Sequence, residues 1–137
     1  MGQKIYLDTN LYIAFFEGDS NISERVEKLF LDSLEEDIEI AASPLITMEL
    51  LIAPLRDGHE QLANVYKNLK NYIININFVD FSPKISEIAA KLRAKYDLPT
   101  PDCIHLATAM EEKVNIFYTA DKGIKKVKEI KIESISN

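Results

Sequence analysis

One alternation runs through this chain and limits what it can fold into: a short β-favouring run, a turn or cap signal, then an apolar stripe at helical spacing. KIYL (4–7), IEIAA (38–42), INFVDF (76–81), NIFYT (115–119) and IKIESI (130–135) have the length and residue types of strands. Between them lie the helical stripes Ile22, Val26, Leu29, Phe30, Leu34; Leu62, Val65, Tyr66, Leu69, Ile73; and Ile85, Ile88, Ala89, Leu92, Tyr96. Asn21 followed by Glu24 reads as a capping box, and Ser43-Pro44 and Ser82-Pro83 each pair a cap with proline at the first helical position. Thr100 reads as the cap of a helix reaching about Lys113. Gly18, Asp19 and Ser20 end the hydrophobic stretch LYIAFF. Pro54, Asp57 and Gly58 predict a break or kink after a helix running from Pro44 to about Ala53. Such a chain builds an α/β fold: a mostly parallel sheet of about five strands with helices on both faces. Sites in these sheets form at the carboxyl ends of the strands.

Composition narrows the class. At 137 residues the expectation is a single domain, 1–137. With 47% apolar and 28% charged residues the chain is an ordinary globular one, not a disordered one. No apolar run approaches the roughly 20 residues of a membrane span, and Asp8 interrupts the first apolar run too early for a signal peptide. One cysteine, Cys103, excludes an internal disulfide, and two histidines, His59 and His105, leave almost no room for a Cys/His zinc site. A reduced, cytoplasmic setting without membrane attachment is expected. The net charge of −6 is uneven: residues 1–60 carry 4 Lys/Arg against 13 Asp/Glu, and residues 61–137 carry 12 against 9. If the substrate is nucleic acid, cations must offset the acids or the basic half must provide the track. The lysines at 125, 126, 128 and 131 are the best local candidates for phosphate contact, although such a run also suits a solvated edge.

Four acids stand out. Asp8 follows the first predicted strand and Asp121 follows the fourth; either would also serve as a cap or turn residue. Asp102 falls in a first helical turn, where any carboxylate suits the dipole. Glu49 differs, because its helical neighbours Leu45, Ile46, Ile52 and Ala53 are apolar and no Lys or Arg lies within a turn of it. A carboxylate on such a face costs several kcal/mol unless donors or a cation compensate. Grouped in one crevice, four carboxylates repel, which raises some of their pKa values or calls for divalent ions. Oxygen ligands without His or Cys select Mg²⁺ or Mn²⁺, ions suited to phosphodiester chemistry. His105 could orient a carboxylate, but it reads better as a hydrogen-bonded packing residue. Leu11, Tyr12, Phe15 and Phe16 divide between core and a possible interface.

At these positions the chain resembles a known family. Y-L-D-T-N at 6–10, Glu49 in S-P-L-I-T-M-E-L, P-D-C-I-H-L-A-T-A at 101–109 and Y-T-A-D at 118–121 are similar to the four acidic motifs of PIN-domain ribonucleases, above all the VapC-like toxins of prokaryotic toxin–antitoxin modules. The resemblance implies a PIN-like fold and a Mg²⁺- or Mn²⁺-dependent endoribonuclease acting on RNA. It makes Asp8, Glu49, Asp102 and Asp121 the catalytic, metal-binding acids, with Asn10 and Thr119 as supporting polar groups. It also implies restraint by an antitoxin protein and often a homodimer. One departure is Ile124, where many relatives carry an aromatic three residues after the last acid. Two other classes stay open. A haloacid-dehalogenase-like phosphatase also places an Asp after its first strand, but it needs a second Asp where this chain has Asn10. A non-catalytic PIN-like binding module would be expected to have lost acids, and all four are present.

Overall fold

Five strands, β1 (Lys4–Leu7), β2 (Glu39–Ala42), β3 (Ile76–Phe78), β4 (Ile116–Thr119) and β5 (Ile132–Ser134), form one sheet in the order β3-β2-β1-β4-β5 in the computed structural model, which describes residues 2–18 and 21–135. Every neighbouring pair is parallel; Tyr6 stands opposite Ala41 on one side and Phe117 on the other. Among the described residues six α-helices flank the sheet: α1 (Thr9–Glu17), α2 (Ser23–Glu35), α3 (Pro44–Asp57), α4 (Glu60–Lys67), α5 (Pro83–Tyr96) and α6 (Thr100–Glu111). The central strands show why both faces need covering. Tyr6 and Leu7 point to opposite sides of β1, and both are fully buried, as are Ile40, Ala41 and Ala42 in β2. Tyr6 also stacks on Phe117, ring centroids 5.1 Å apart, which locks the β1–β4 pairing from the side chains.

Local signals set most boundaries. Ser43 Oγ accepts from the Leu45 amide and Ser82 Oγ from the Ile85 amide, so both Ser-Pro pairs start helices as expected. Several expectations need correction. The helix α2 begins at Ser23 after Ile22, not at an Asn21 cap, because Ile22 is drawn into the core and its carbonyl accepts the first helical bond from Val26. The Leu34 end of its stripe is exposed. Thr100 is the first residue of α6, with Pro99 before it. The helix α3 runs through Pro54 to Asp57, since a proline there costs one internal bond and Gly58, at φ 74°, makes the actual stop. Strand β3 ends at Phe78; after Val79 donates to Ala42 the chain turns away and leaves Phe81 exposed.

The aromatic helix divides in the way the sequence left open. Leu11 and Tyr12 are core, while Phe15 and Phe16 are half-buried; Phe15 packs at a tilt against Phe30, and Phe16 meets Tyr66 and Tyr72 edge to face. Ile124 is buried and occupies its apolar position without an aromatic ring. Gly18 ends α1 in the left-handed region, and Asp19 and Ser20 of that predicted break lie outside the described residues. Among the described residues, no helix is long and apolar enough to cross a membrane.

Candidate active site

The strand order reverses direction around β1: the chain steps to β2 and β3 on one side, then returns to β4 and β5 on the other. The carboxyl ends of β1 and β4 therefore frame a crevice at the topological switch point. Asp8 leaves the end of β1 and caps α1. Its Oδ1 accepts from the Thr9 amide at 2.9 Å, and its Oδ2 accepts from Thr119 Oγ1 at 2.9 Å. Thr119, fully buried at the end of β4, also accepts from the Asp121 amide at 3.0 Å. The Asp121 carboxylate folds back onto the Gly123 amide at 2.8 Å and sits exposed at the rim. Asn10 Oδ1 accepts from the Ala120 amide at 3.2 Å and so pins the loop that carries Asp121 to α1. With its side chain used in this way, Asn10 is no substitute for the second aspartate that a dehalogenase-type phosphatase requires.

Helices bring in the other two acids. Glu49 projects from α3, and its Oε1 accepts from Thr9 Oγ1 at 2.6 Å and from His105 Nε2 at 2.6 Å. Both bonds fall on one oxygen, which leaves Oε2 for a further partner. The expectation of an apolar surrounding for Glu49 holds only on one side: Ile46 is buried, but Ile52 and Ala53 face solvent. The compensation its carboxylate needs comes from His105 and Thr9 on other elements. Asp102, half-buried in the first turn of α6, completes the set.

Proton affinities show that these groups share one field. Burial pushes the Asp8 carboxyl up, partly offset by the His105 ring and the bonds from Thr119 and Thr9; the Glu49 charge pushes it up again. Asp102 is raised by burial and then by the charges of Asp8, Asp121 and Glu49. Glu49 goes the other way: burial is its largest single influence and raises it, but the His105 and Thr9 bonds, joined by the charge of the His105 ring, outweigh burial and hold it below the ordinary range. No lysine or arginine is among the charges that weigh most on these three acids. Among the described residues no three acidic, histidine or cysteine side chains close into a coordination cage. An open carboxylate cluster still fits Mg²⁺, which keeps several waters and takes one or two carboxylates plus substrate phosphate.

Sequence reasoning undervalued His105 and did not single out Thr9 or Tyr6. A signal for the histidine was present. Glu49 lacked any local cation, and His105 lies three residues after Asp102, on the same helical face.

Comparison with known proteins agrees with this architecture. Residues 5–130 match the PIN domain family model. A protein of Methanocaldococcus jannaschii named ribonuclease VapC6 is 24% identical over 149 residues, covering 93% of this chain and 95% of the relative. Among solved structures, VapBC2 from Rickettsia felis, bound to a promoter DNA fragment, superposes with a TM-score of 0.73 at 17% identity, covering 96% of this chain and 98% of that one. The Mycobacterium tuberculosis toxin VapC20, which cleaves the sarcin-ricin loop, gives a TM-score of 0.73 at 13% identity, with 93% and 98% covered. The match over most of its length shows that the chain belongs to the PIN-domain family.

Proposed function

We propose that residues 1–137 form one PIN domain that cleaves RNA internally and acts as the toxin of a toxin–antitoxin pair. The observation that carries this reading is the shared field of Asp8, Glu49 and Asp102 beside the β1–β4 crevice, with Asp121 at its rim and no lysine or arginine dominating it. The likeness to a protein named ribonuclease VapC6, to a toxin that cleaves the sarcin-ricin loop, and to VapBC assemblies points the same way. PIN-domain ribonucleases depend on divalent metal, and the oxygen-only donor set favours Mg²⁺ or Mn²⁺ here.

In this reading Asp8, Glu49, Asp102 and Asp121 hold the ion. Thr119 fixes one oxygen of Asp8, and Asn10 fixes the loop of Asp121. When bound, such an ion activates water and offsets charge developing on the phosphate. The chain's own part is positional: Asp8 and Glu49 are immobilised by donors before substrate arrives, so little reorganisation is left for the reaction. The exposed Lys125 and Lys126, just beyond Asp121, supply the nearest cations in sequence for the RNA backbone. An antitoxin protein, a homodimer and a cytoplasmic setting complete the proposal.

A panel of structured RNAs, incubated with the protein in Mn²⁺ and in EDTA, tests it. Discrete internal cuts that need Mn²⁺ are expected. A panel left intact in Mn²⁺, or an aspartyl-phosphate trapped on Asp8, would count against ribonuclease activity.

A further inference from the structure

The side chain of His105 is 1% exposed, yet both of its ring nitrogens are engaged. Nδ1 lies 2.7 Å from the Tyr6 hydroxyl and Nε2 lies 2.6 Å from Glu49 Oε1. The Tyr6 hydroxyl in turn accepts from the Ser43 amide at 3.2 Å. A carboxylate can only accept, so the hydrogen between His105 and Glu49 belongs to Nε2. The Tyr6 oxygen already accepts from Ser43, and its own hydrogen finds an acceptor in Nδ1. One tautomer satisfies every donor in the chain from the Ser43 amide through Tyr6 and His105 to Glu49. The opposite tautomer would set the Nε2 lone pair against the carboxylate and leave the buried Tyr6 hydrogen without an acceptor.

The relay also closes on a single helix. Ser43 is the cap of α3 and Glu49 lies on α3, while Tyr6 belongs to β1 and His105 to α6. The histidine thus fixes the carboxylate relative to the start of its own helix and to the central strand. A residue present only to fill space would need neither nitrogen in a particular place.

We propose that His105 is a positioning residue of the acidic site, holding Glu49 by one oxygen and in one orientation so that the other oxygen is available to a divalent ion. The second half of this inference rests on the metal-binding reading above. The first half, the tautomer, does not depend on it. Ligating groups elsewhere are oriented in the same way by partners behind them, and loss of such a partner costs about 10–100-fold in metal affinity.

Two measurements test the inference. Long-range ¹H–¹⁵N correlations on the metal-free protein read the tautomer, with the exposed His59 as internal reference. At neutral pH the neutral Nε2–H form is expected; an Nδ1–H form at His105, a doubly protonated ring, or averaging between the tautomers overturns the relay. Mn²⁺ binding, followed by electron paramagnetic resonance, reads the effect on the site. His105→Leu should weaken Mn²⁺ by about 10-fold or more. His105→Gln, whose amide nitrogen can reach the Nε2 position, should recover most of that loss, and His105→Asn should not. If His105→Leu fails to fold, the Gln and Asn variants decide, and equal affinities in those two overturn the inference. Unchanged affinity in a folded Leu variant also overturns it. A wild type that binds no Mn²⁺, with the expected tautomer in place, refutes the metal site and leaves the relay standing.

Discussion

At Asp102, burial and three neighbouring carboxylates raise the proton affinity, and His105 opposes them. Its folded pKa therefore lies above its unfolded value. Between the two the native state binds more protons, so stability falls as pH rises through that window and stays lower above it. Asp102→Asn removes the penalty and should raise the Tm of the chelator-treated protein near neutral pH, with an advantage that shrinks in acid. Thermal melts across pH check this; a variant that melts lower at every pH would make Asp102 a helix-dipole residue. Glu49 has the opposite sign, because its folded pKa is depressed: its contribution is present above the unfolded value and is lost as pH falls through the folded one. Tyr6 offers a second residue-scale test. Tyr6→Phe leaves the buried Ser43 amide without its acceptor and should cost about 1–3 kcal/mol in urea unfolding. A change below about 0.5 kcal/mol would mean that the amide finds another partner.

The elements were legible where their signals are local. Ser43 and Ser82 cap the helices they were expected to cap, because a serine followed by proline leaves the backbone few alternatives. Asn21 carried a similar signal and lost to Ile22, whose burial is a tertiary effect that no window of sequence displays. Pro54, Asp57 and Gly58 together signal a break after Ala53, but α3 continues through Pro54 and stops at Gly58, since a proline in the last turn removes one bond and a left-handed residue ends the run. That correction can be tested. A Cβ added at Gly58 meets nothing within 4 Å, so the cost of Gly58→Ala is conformational alone. It should amount to about 1 kcal/mol in urea unfolding, and a neutral result would mean that the helix end relaxes elsewhere.

For the whole molecule, the parallel α/β class was legible from alternation, and the switch point could be anticipated as a place for a site. The identity of its walls was not. Which strand lies at the centre depends on pairing between β1 and β4, more than a hundred residues apart, and the Glu49–His105 bond spans 56 residues. Glu49 alone is odd in its local setting; Asp8, Asp102 and Asp121 also suit caps, turns or a helix dipole, and it is the ordered set of motifs that picks them out. Of their donors, Thr119 was reached only through the family resemblance, and Thr9 and His105 look ordinary until the fold brings them to Glu49. The open, mutually repelling cluster also predicts a ligand effect on global stability. Mg²⁺ at ten times its dissociation constant should stabilise the wild type by about 1.4 kcal/mol through mass action, and Asp102→Asn should gain less. Melts across a Mg²⁺ titration check this, and equal gains would remove Asp102 from the site.

The central claim, that the acids of this crevice carry metal-dependent RNA cleavage, is tested most directly by comparing wild type and Asp8→Asn on one cleavable RNA. The wild type should lose activity in EDTA and regain it with Mg²⁺ or Mn²⁺. Asp8→Asn should be slower by orders of magnitude in either metal, with an unchanged far-UV circular dichroism spectrum. Full cleavage by the wild type in EDTA, or by Asp8→Asn in Mn²⁺, would contradict the account.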